Sequence, residues 1–143
     1  MDHEPGKRKA VNRFEVDDEW TSVLPFERIP KGIVHFPLEC VVYVPSTRGS
    51  VKIEADEFRA RREETAALLV SLFGGCREAV SMGRYRADNG EIIAEEVAVL
   101  TGFGDAEDFG EKRRQFLEWL IDKRGEWEQE ALGFEFEGDL WYL

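Results

Sequence analysis

The chain has 143 residues, 43 % of them apolar and 34 % charged, the size and composition of one folded domain and not of a fibrous or membrane protein. Lys plus Arg number 19 and Asp plus Glu 30, a formal net charge of −11. Binding to duplex nucleic acid needs a basic face that releases phosphate counterions, so this balance argues against it, and against an anionic membrane surface for the same reason.

The N-terminal residues 1–31 read as an arm. Met1 to Val11 is charged and without periodicity, the pattern of a partly disordered segment. Phe14, Val16, Trp20, Val23, Leu24, Phe26 and Ile29 then supply enough apolar surface to pack on the domain or on a second subunit. Met1 to Arg13 has no apolar core of the kind a secretory signal carries, and no run approaches the roughly 20 apolar residues of a spanning helix. The expected location is the cytoplasm. Cys40 and Cys76 form no CxxC pair and read as two reduced thiols.

The domain is expected over 32–143. Ile33 to Pro45 is rich in β-branched and aromatic residues and predicts a first strand, firm from Glu39 because Pro37 suits only an edge or bulge. Ser46 to Lys52 reads as a loop. Phe58, Thr65, Leu68, Leu69 and Leu72 fall on one face of a helix over Asp56 to Leu72, with Glu57 and Arg61 four apart in the favourable order, and Gly74-Gly75 stops it. Glu78 to Ala87 and Glu91 to Gly102 predict two strands joined at Asn89-Gly90, a pair that suits a two-residue type I′ turn. Capping residues at Asp105 to Asp108 precede a second helix, Phe109 to Glu130. Leu132 to Leu143 predicts a last strand, single or folded into a hairpin at Gly138-Asp139.

The order β-α-β-β-α-β is that of the α+β, ferredoxin-like fold. Right-handed crossovers place the first and third strands at the centre and both helices on one face. Both central strands are apolar at both parities: Val41 and Tyr43 with Val42 and Val44, then Ile93, Val97 and Val99 with Ala94, Ala98 and Leu100. A half-exposed strand alternates more cleanly, so the second face is expected to be covered by the arm, by a symmetry mate or by a ligand. A homodimer is the expected partner state, with a protein partner or a small ligand as the further options.

Glu95 and Glu96 interrupt the apolar third strand and, being adjacent, point to opposite faces. A carboxylate in such a place acts as a general base, a metal ligand or a ligand-orienting acid, or it is paired. A turn at Asn89-Gly90 sets Arg84 opposite Glu95 and Gly83 opposite Glu96, which offers Arg84 or Arg86 as the structural partner. Ser46, Thr47 and Arg48 after the first strand can bind an anion through hydroxyls, amides and a guanidinium, or merely satisfy their own turn. Gly75 can bring backbone close to a ligand, or only end the helix. With His3 and His35 as the only histidines, a Cys76 nucleophile lacks a base and a zinc site lacks ligands. No cofactor is expected, although scattered carboxylates leave a Mg²⁺-type site open.

Several short motifs together carry a resemblance. They are Val42-Tyr43-Val44-Pro45-Ser46-Thr47, Leu72-Phe73-Gly74-Gly75, and Gly83-Arg84-Tyr85 with Gly90 and Glu95-Glu96-Val97. The C-terminal Ala131-Leu132 and Gly138-Asp139-Leu140-Trp141-Tyr142 complete the set. Over about residues 39 to 143 the chain resembles a group of small proteins of uncharacterised activity from bacterial, archaeal, plasmid and phage genomes. In these a VPST strand end, an LFGG helix end and a GxY…G…EV hairpin recur. The resemblance implies that Ser46, Thr47, Gly75, Tyr85 and Glu96 matter together, and implies no particular activity. The family's usual Thr after the double glycine is replaced by Cys76-Arg77.

The leading expectation is a non-enzymatic, dimeric binding module of mobile-element origin. The alternative is a small enzyme with Glu96 or Glu95 as acid/base, Tyr85 as a catalytic partner, and Ser46, Thr47, Arg48, Gly75 and Arg84 around the ligand. A further alternative, resting on charge alone, is an acidic mimic of nucleic acid.

Overall fold

The computed structural model describes residues 36–143. The expected arm, 1–31, and the Ile33 to His35 start of the first strand lie outside the described residues. The elements are β1 (Leu38–Pro45), β2 (Thr47–Arg48), β3 (Val51–Lys52), α1 (Ala55–Phe73), β4 (Arg77–Arg86), β5 (Ile92–Gly104), α2 (Ala106–Glu126), β6 (Gly133–Phe136) and β7 (Asp139–Tyr142). The main sheet runs β4-β5-β1-β6-β7 and is antiparallel throughout. The first and third long strands, β1 and β5, are its centre, as the α+β ferredoxin-like order requires. The last segment takes the hairpin form, so β7 adds a fifth strand at the edge.

The helices form where the apolar stripe says they should. Phe58, Leu68, Leu69 and Leu72 of α1 and Phe109, Phe116 and Leu120 of α2 meet Leu38, Cys40, Val42 and Val44 of β1 and Ala98 and Leu100 of β5. These β1 residues share one parity, so both helices lie on one face of the sheet. Each large apolar side chain fully buried there contributes about 1.5–3 kcal/mol. Gly74 closes α1 in the left-handed region (φ 85°), and its N–H donates to Val70 O at 2.8 Å. A close approach explains two other glycines. A Cβ at Gly102 would stand 2.4 Å from the Phe73 ring and one at Gly104 2.7 Å from it, so the pair makes a slot that seats the end of α1 on β5.

Two sequence expectations are corrected. The segment expected as a loop, Ser46 to Lys52, is a β2–β3 hairpin, with Thr47 opposite Lys52 and Arg48 opposite Val51. Gly49 (φ 59°) takes its first turn position, the place a type II′ turn reserves for glycine. The β4–β5 register also differs by one residue: Gly83 faces Glu95, Arg84 faces Ala94 and Met82 faces Glu96. The reason is the turn. Ala87 N–H donates to Glu91 O and Gly90 N–H to Ala87 O, with Gly90 at φ 88°. Asp88, Asn89 and Gly90 thus form a three-residue loop with Gly in the left-handed bulge position, and not a two-residue turn. No described helix is long and apolar enough to cross a membrane.

Candidate functional site

β1 pairs with β5 only as far as Pro45, which faces Val97. There the chain leaves the sheet as Ser46 and turns into the β2–β3 hairpin, while β5 continues beside β4 alone, down to Ile92. The two structures diverge around a cleft of about 390 Å³. Ser46, Thr47, Ser50 and Lys52 form its hairpin wall, and Met82, Ile93, Ala94, Glu95 and Glu96 its ribbon wall.

The hairpin wall is firmly held. Ser46 Oγ donates to Glu96 O at 2.6 Å and ties it to β5. Arg61, on the buried side of α1, donates from Nη1 to Pro45 O (2.9 Å) and Thr47 O (2.8 Å). Its guanidinium also lies over the Trp127 ring, 5.2 Å from the centroid. Burial lowers the Arg61 pKa and the nearby Glu57 opposes that shift. Gln129 Nε2 makes a further bond to Thr47 O at 2.7 Å. The position of Arg61 between Phe58 and Thr65 on the apolar stripe was the sequence signal for this inward cation.

The expected site residues divide into three groups. Ser46, Thr47, Glu95 and Glu96 are brought together at the cleft. Tyr85 stands beside it: its hydroxyl donates to Glu95 Oε1 at 3.4 Å, on the β5 face opposite Glu96. Desolvation, then the Glu95 charge and that hydrogen bond, raise the Tyr85 pKa, so it stays a neutral donor. Arg84 faces Ala94, one pair further along the ribbon, and does not line the cleft. The expected pairing of Glu95 or Glu96 with Arg84 or Arg86 is not formed, because the shifted register removes Arg84 from opposite Glu95. Glu96 carries no side-chain partner among the described residues.

Arg48 and Gly75 lie elsewhere. Arg48 donates to Glu126 O (2.9 Å), Glu128 Oε2 (2.8 Å) and Glu57 Oε1 (2.5 Å). Two carboxylates already hold this guanidinium, so it fastens the hairpin to the helices and is not open to an anion. The same pairing holds the Glu57 carboxyl below its usual pKa. Gly75 follows α1 at the far end of the ribbon, near the Arg77–Thr101 pair.

Sequence reasoning missed Ser50, Lys52, Met82, Ile93 and Ala94. The Gly49-Ser50 turn was the signal for the first two, since a hairpin there returns Lys52 to face Thr47. Lys52 carries no ion pair among the described residues. The cleft therefore presents two carboxylates, one ammonium, hydroxyls and a bare strand edge. No group of three or more His, Cys, Asp or Glu that could hold a metal stands together among the described residues.

No protein-family model matches the sequence, and no curated protein matches it. Two solved structures are similar in fold. One is a phage SAM lyase in complex with S-methyl-5′-thioadenosine, at TM-score 0.51 and 12 % identity, covering 74 % of this chain and 88 % of that one. The other is a phage SAM lyase in the apo state, at TM-score 0.47 and 12 % identity, covering 76 % of this chain and 89 % of that one. The expectation of a non-enzymatic module is thereby corrected: the similar structure is that of an enzyme, and of the enzymatic alternative Ser46, Thr47, Glu95 and Glu96 share one cleft with Tyr85 beside it.

Proposed function

We propose that the chain is a small enzyme working in the cleft between the β2–β3 hairpin and β5, on a sulfonium nucleoside of the S-adenosylmethionine type. The observation that carries this reading is the match of charges. Such a substrate bears a sulfonium, an ammonium and a carboxylate. The cleft offers Glu95 and Glu96 for the two cations and Lys52 for the anion. Adjacent strand residues point to opposite faces, so the carboxylates flank a molecule lying along the edge of β5. The similarity to a phage SAM lyase supports the choice of substrate class.

The chemistry suits a carboxylate-rich site. Cleaving the bond from sulfur to the aminoacyl side chain sends the bonding pair to sulfur and frees a neutral thioether. The carbon left behind is closed by the substrate's own carboxylate, giving a lactone without proton loss. Otherwise it gives an alkene as the neighbouring proton passes to a glutamate, and product analysis tells these apart. In either case Glu95 and Glu96 hold the cation in place before the bond breaks. Tyr85 orients Glu95, and Ser46 and Thr47 fix the opposite wall.

The test is incubation with S-adenosylmethionine and chromatography of the products. Release of S-methyl-5′-thioadenosine is expected, at least about tenfold slower in Glu95→Gln and Glu96→Gln with the fold intact. No release by the native chain, or full rates in both variants, overturns the reading.

A further inference from the structure

We infer that the bare edge of β5 at Ala94 and Glu96 is an adenine-reading subsite, in which Ala94 C=O accepts from the N6 amine and Glu96 N–H donates to N1. It rests on the proposed nucleoside substrate and assigns the part of the cleft that takes the base.

Two hydrogen bonds fix which way the backbone groups point. Ala87 N–H donates to Glu91 O at 2.8 Å, so odd-numbered residues of β5 turn their N–H and C=O toward β4. Ser46 Oγ donates to Glu96 O at 2.6 Å, so even-numbered residues turn theirs toward the β1 side. The register is unbroken along β5, which keeps this alternation intact from Ile92 to Gly104. Beyond Val97 no described strand lies on the β1 side. Among the described residues Ser46 alone reaches that edge, and it takes only the Glu96 carbonyl. The Ala94 C=O and the Glu96 N–H are thus an acceptor and a donor two residues apart, both aimed into the cleft and both without a partner there among the described residues.

That pair is what the Watson–Crick edge of adenine complements: a donor, N6–H, beside an acceptor, N1. A flat base in the plane of the sheet takes the position a neighbouring strand would take. Met82 is on one face of the ribbon and Ile93 on the other, and both line the cleft, so the base has apolar contact above and below. Hypoxanthine has the opposite polarity, a donor at N1 and an acceptor at position 6, and would leave both backbone groups facing like partners.

The test is amide NMR titration of the full chain with adenosine, N6,N6-dimethyladenosine and inosine. Saturable shifts at the Ala94 and Glu96 amides are expected with adenosine, and binding at least about tenfold weaker with the other two. Glu96→Pro deletes the N–H on an edge where proline is tolerated, and Glu96→Ala keeps it. A further loss of at least about tenfold in the proline variant relative to the alanine variant is expected. Should Glu96→Pro fail to fold, the inosine comparison on the native chain decides. Inosine binding as tightly as adenosine, or adenosine binding without shifts at these amides or not at all, overturns the subsite. Adenosine binding in this mode without cleavage of S-adenosylmethionine supports the subsite and removes the proposed reaction. Cleavage that proceeds as fast on the hypoxanthine analogue of the substrate overturns the subsite and leaves the reaction standing.

Discussion

Residues 97–101 of β5 lie between β1 and β4, under two helices, whereas residues 92–96 of the same strand have β4 alone among the described strands. In the first stretch Ala98 and Leu100 are completely buried. In the second, Ile92, Ala94 and Glu96 are exposed and a row of backbone groups has no strand beside it among the described residues. One strand therefore does two jobs. Where both neighbours and the helices cover it, its side chains make the core. Where β1 has turned away, its edge and its carboxylates are available for chemistry. The candidate site sits where pairing stops, a position that the core can hold rigid without filling.

The sharpest break of this comparison is a matched pair of truncations. Leu100→Ala removes a fully buried side chain and is expected to cost about 2–5 kcal/mol, read by chemical denaturation. Ile92→Ala, in the same strand but exposed, is expected to stay within about 0.5 kcal/mol of the native chain. Equal costs would mean that the ribbon half is covered in solution.

Next in size is the joint between the halves. Arg61 holds the two carbonyls, of Pro45 and Thr47, at which β1 leaves the sheet. Arg61→Met keeps the length of the side chain and leaves Pro45 O without that donor, while Thr47 O retains Gln129. A loss of about 1–3 kcal/mol is expected. Weaker adenosine binding should accompany it, because the hairpin wall loses its anchor. Unchanged binding at reduced stability would separate the hairpin from the site.

Gly102→Ala tests the packed half alone. The added methyl would meet the Phe73 ring, and overpacking of this kind costs about 1–3 kcal/mol. The double variant with Phe73→Leu should recover part of that loss. Cleavage and adenosine binding should be untouched, since Phe73 and Gly102 lie at the end of β5 away from the cleft.

Local rules made most of the frame legible. The apolar stripe of α1, the Gly74 stop and the β-branched and aromatic runs of the strands placed the elements and their order. Two turns were misread, and both mattered at the site. Asn89-Gly90 suits a two-residue turn, but Asp88 joined it in a three-residue loop, which shifted every pair of the ribbon by one. The Gly49-Ser50 turn was hidden by strands of only two residues each, too short to show alternation, and with it went Lys52 and Ser50. Glu95, Glu96, Ser46 and Thr47 were legible as polar residues interrupting or ending apolar strands. Arg48 carried the same polar signal. Its carboxylate partners are Glu57 of α1, nine residues on, and Glu128, just past α2 and 80 residues on, so only the tertiary structure removes it from the site. The backbone edge of β5 has no side-chain signature at all, because it exists only where β1 happens to end.

The smallest effect at neutral pH is an alkaline one, and it reports on the packed half. Cys40 of β1 is buried opposite Gly102, and burial pushes its thiol from an ordinary 9.0 up to about 12. Between these values the unfolded chain gives up the proton while the folded chain keeps it. The unfolded state then binds fewer protons, so stability is fully present below about pH 9 and falls as pH rises toward 12. Tyr43, on the other face of β1, adds to the upper part of the same decline. Burial first, and then its hydrogen bond to Glu135 and that carboxylate's charge, raise it from 10.0 to about 12. Denaturation midpoints followed into this range should drop steadily for the native chain. In Cys40→Ala the drop should begin later, with a constant offset from the lost sulfur contacts. Tyr43→Phe should keep the early drop and lose part of the late one. A native chain whose midpoint holds flat to pH 11 would show that β1 opens to solvent easily, and would erase the contrast between the closed half of the sheet and the open one.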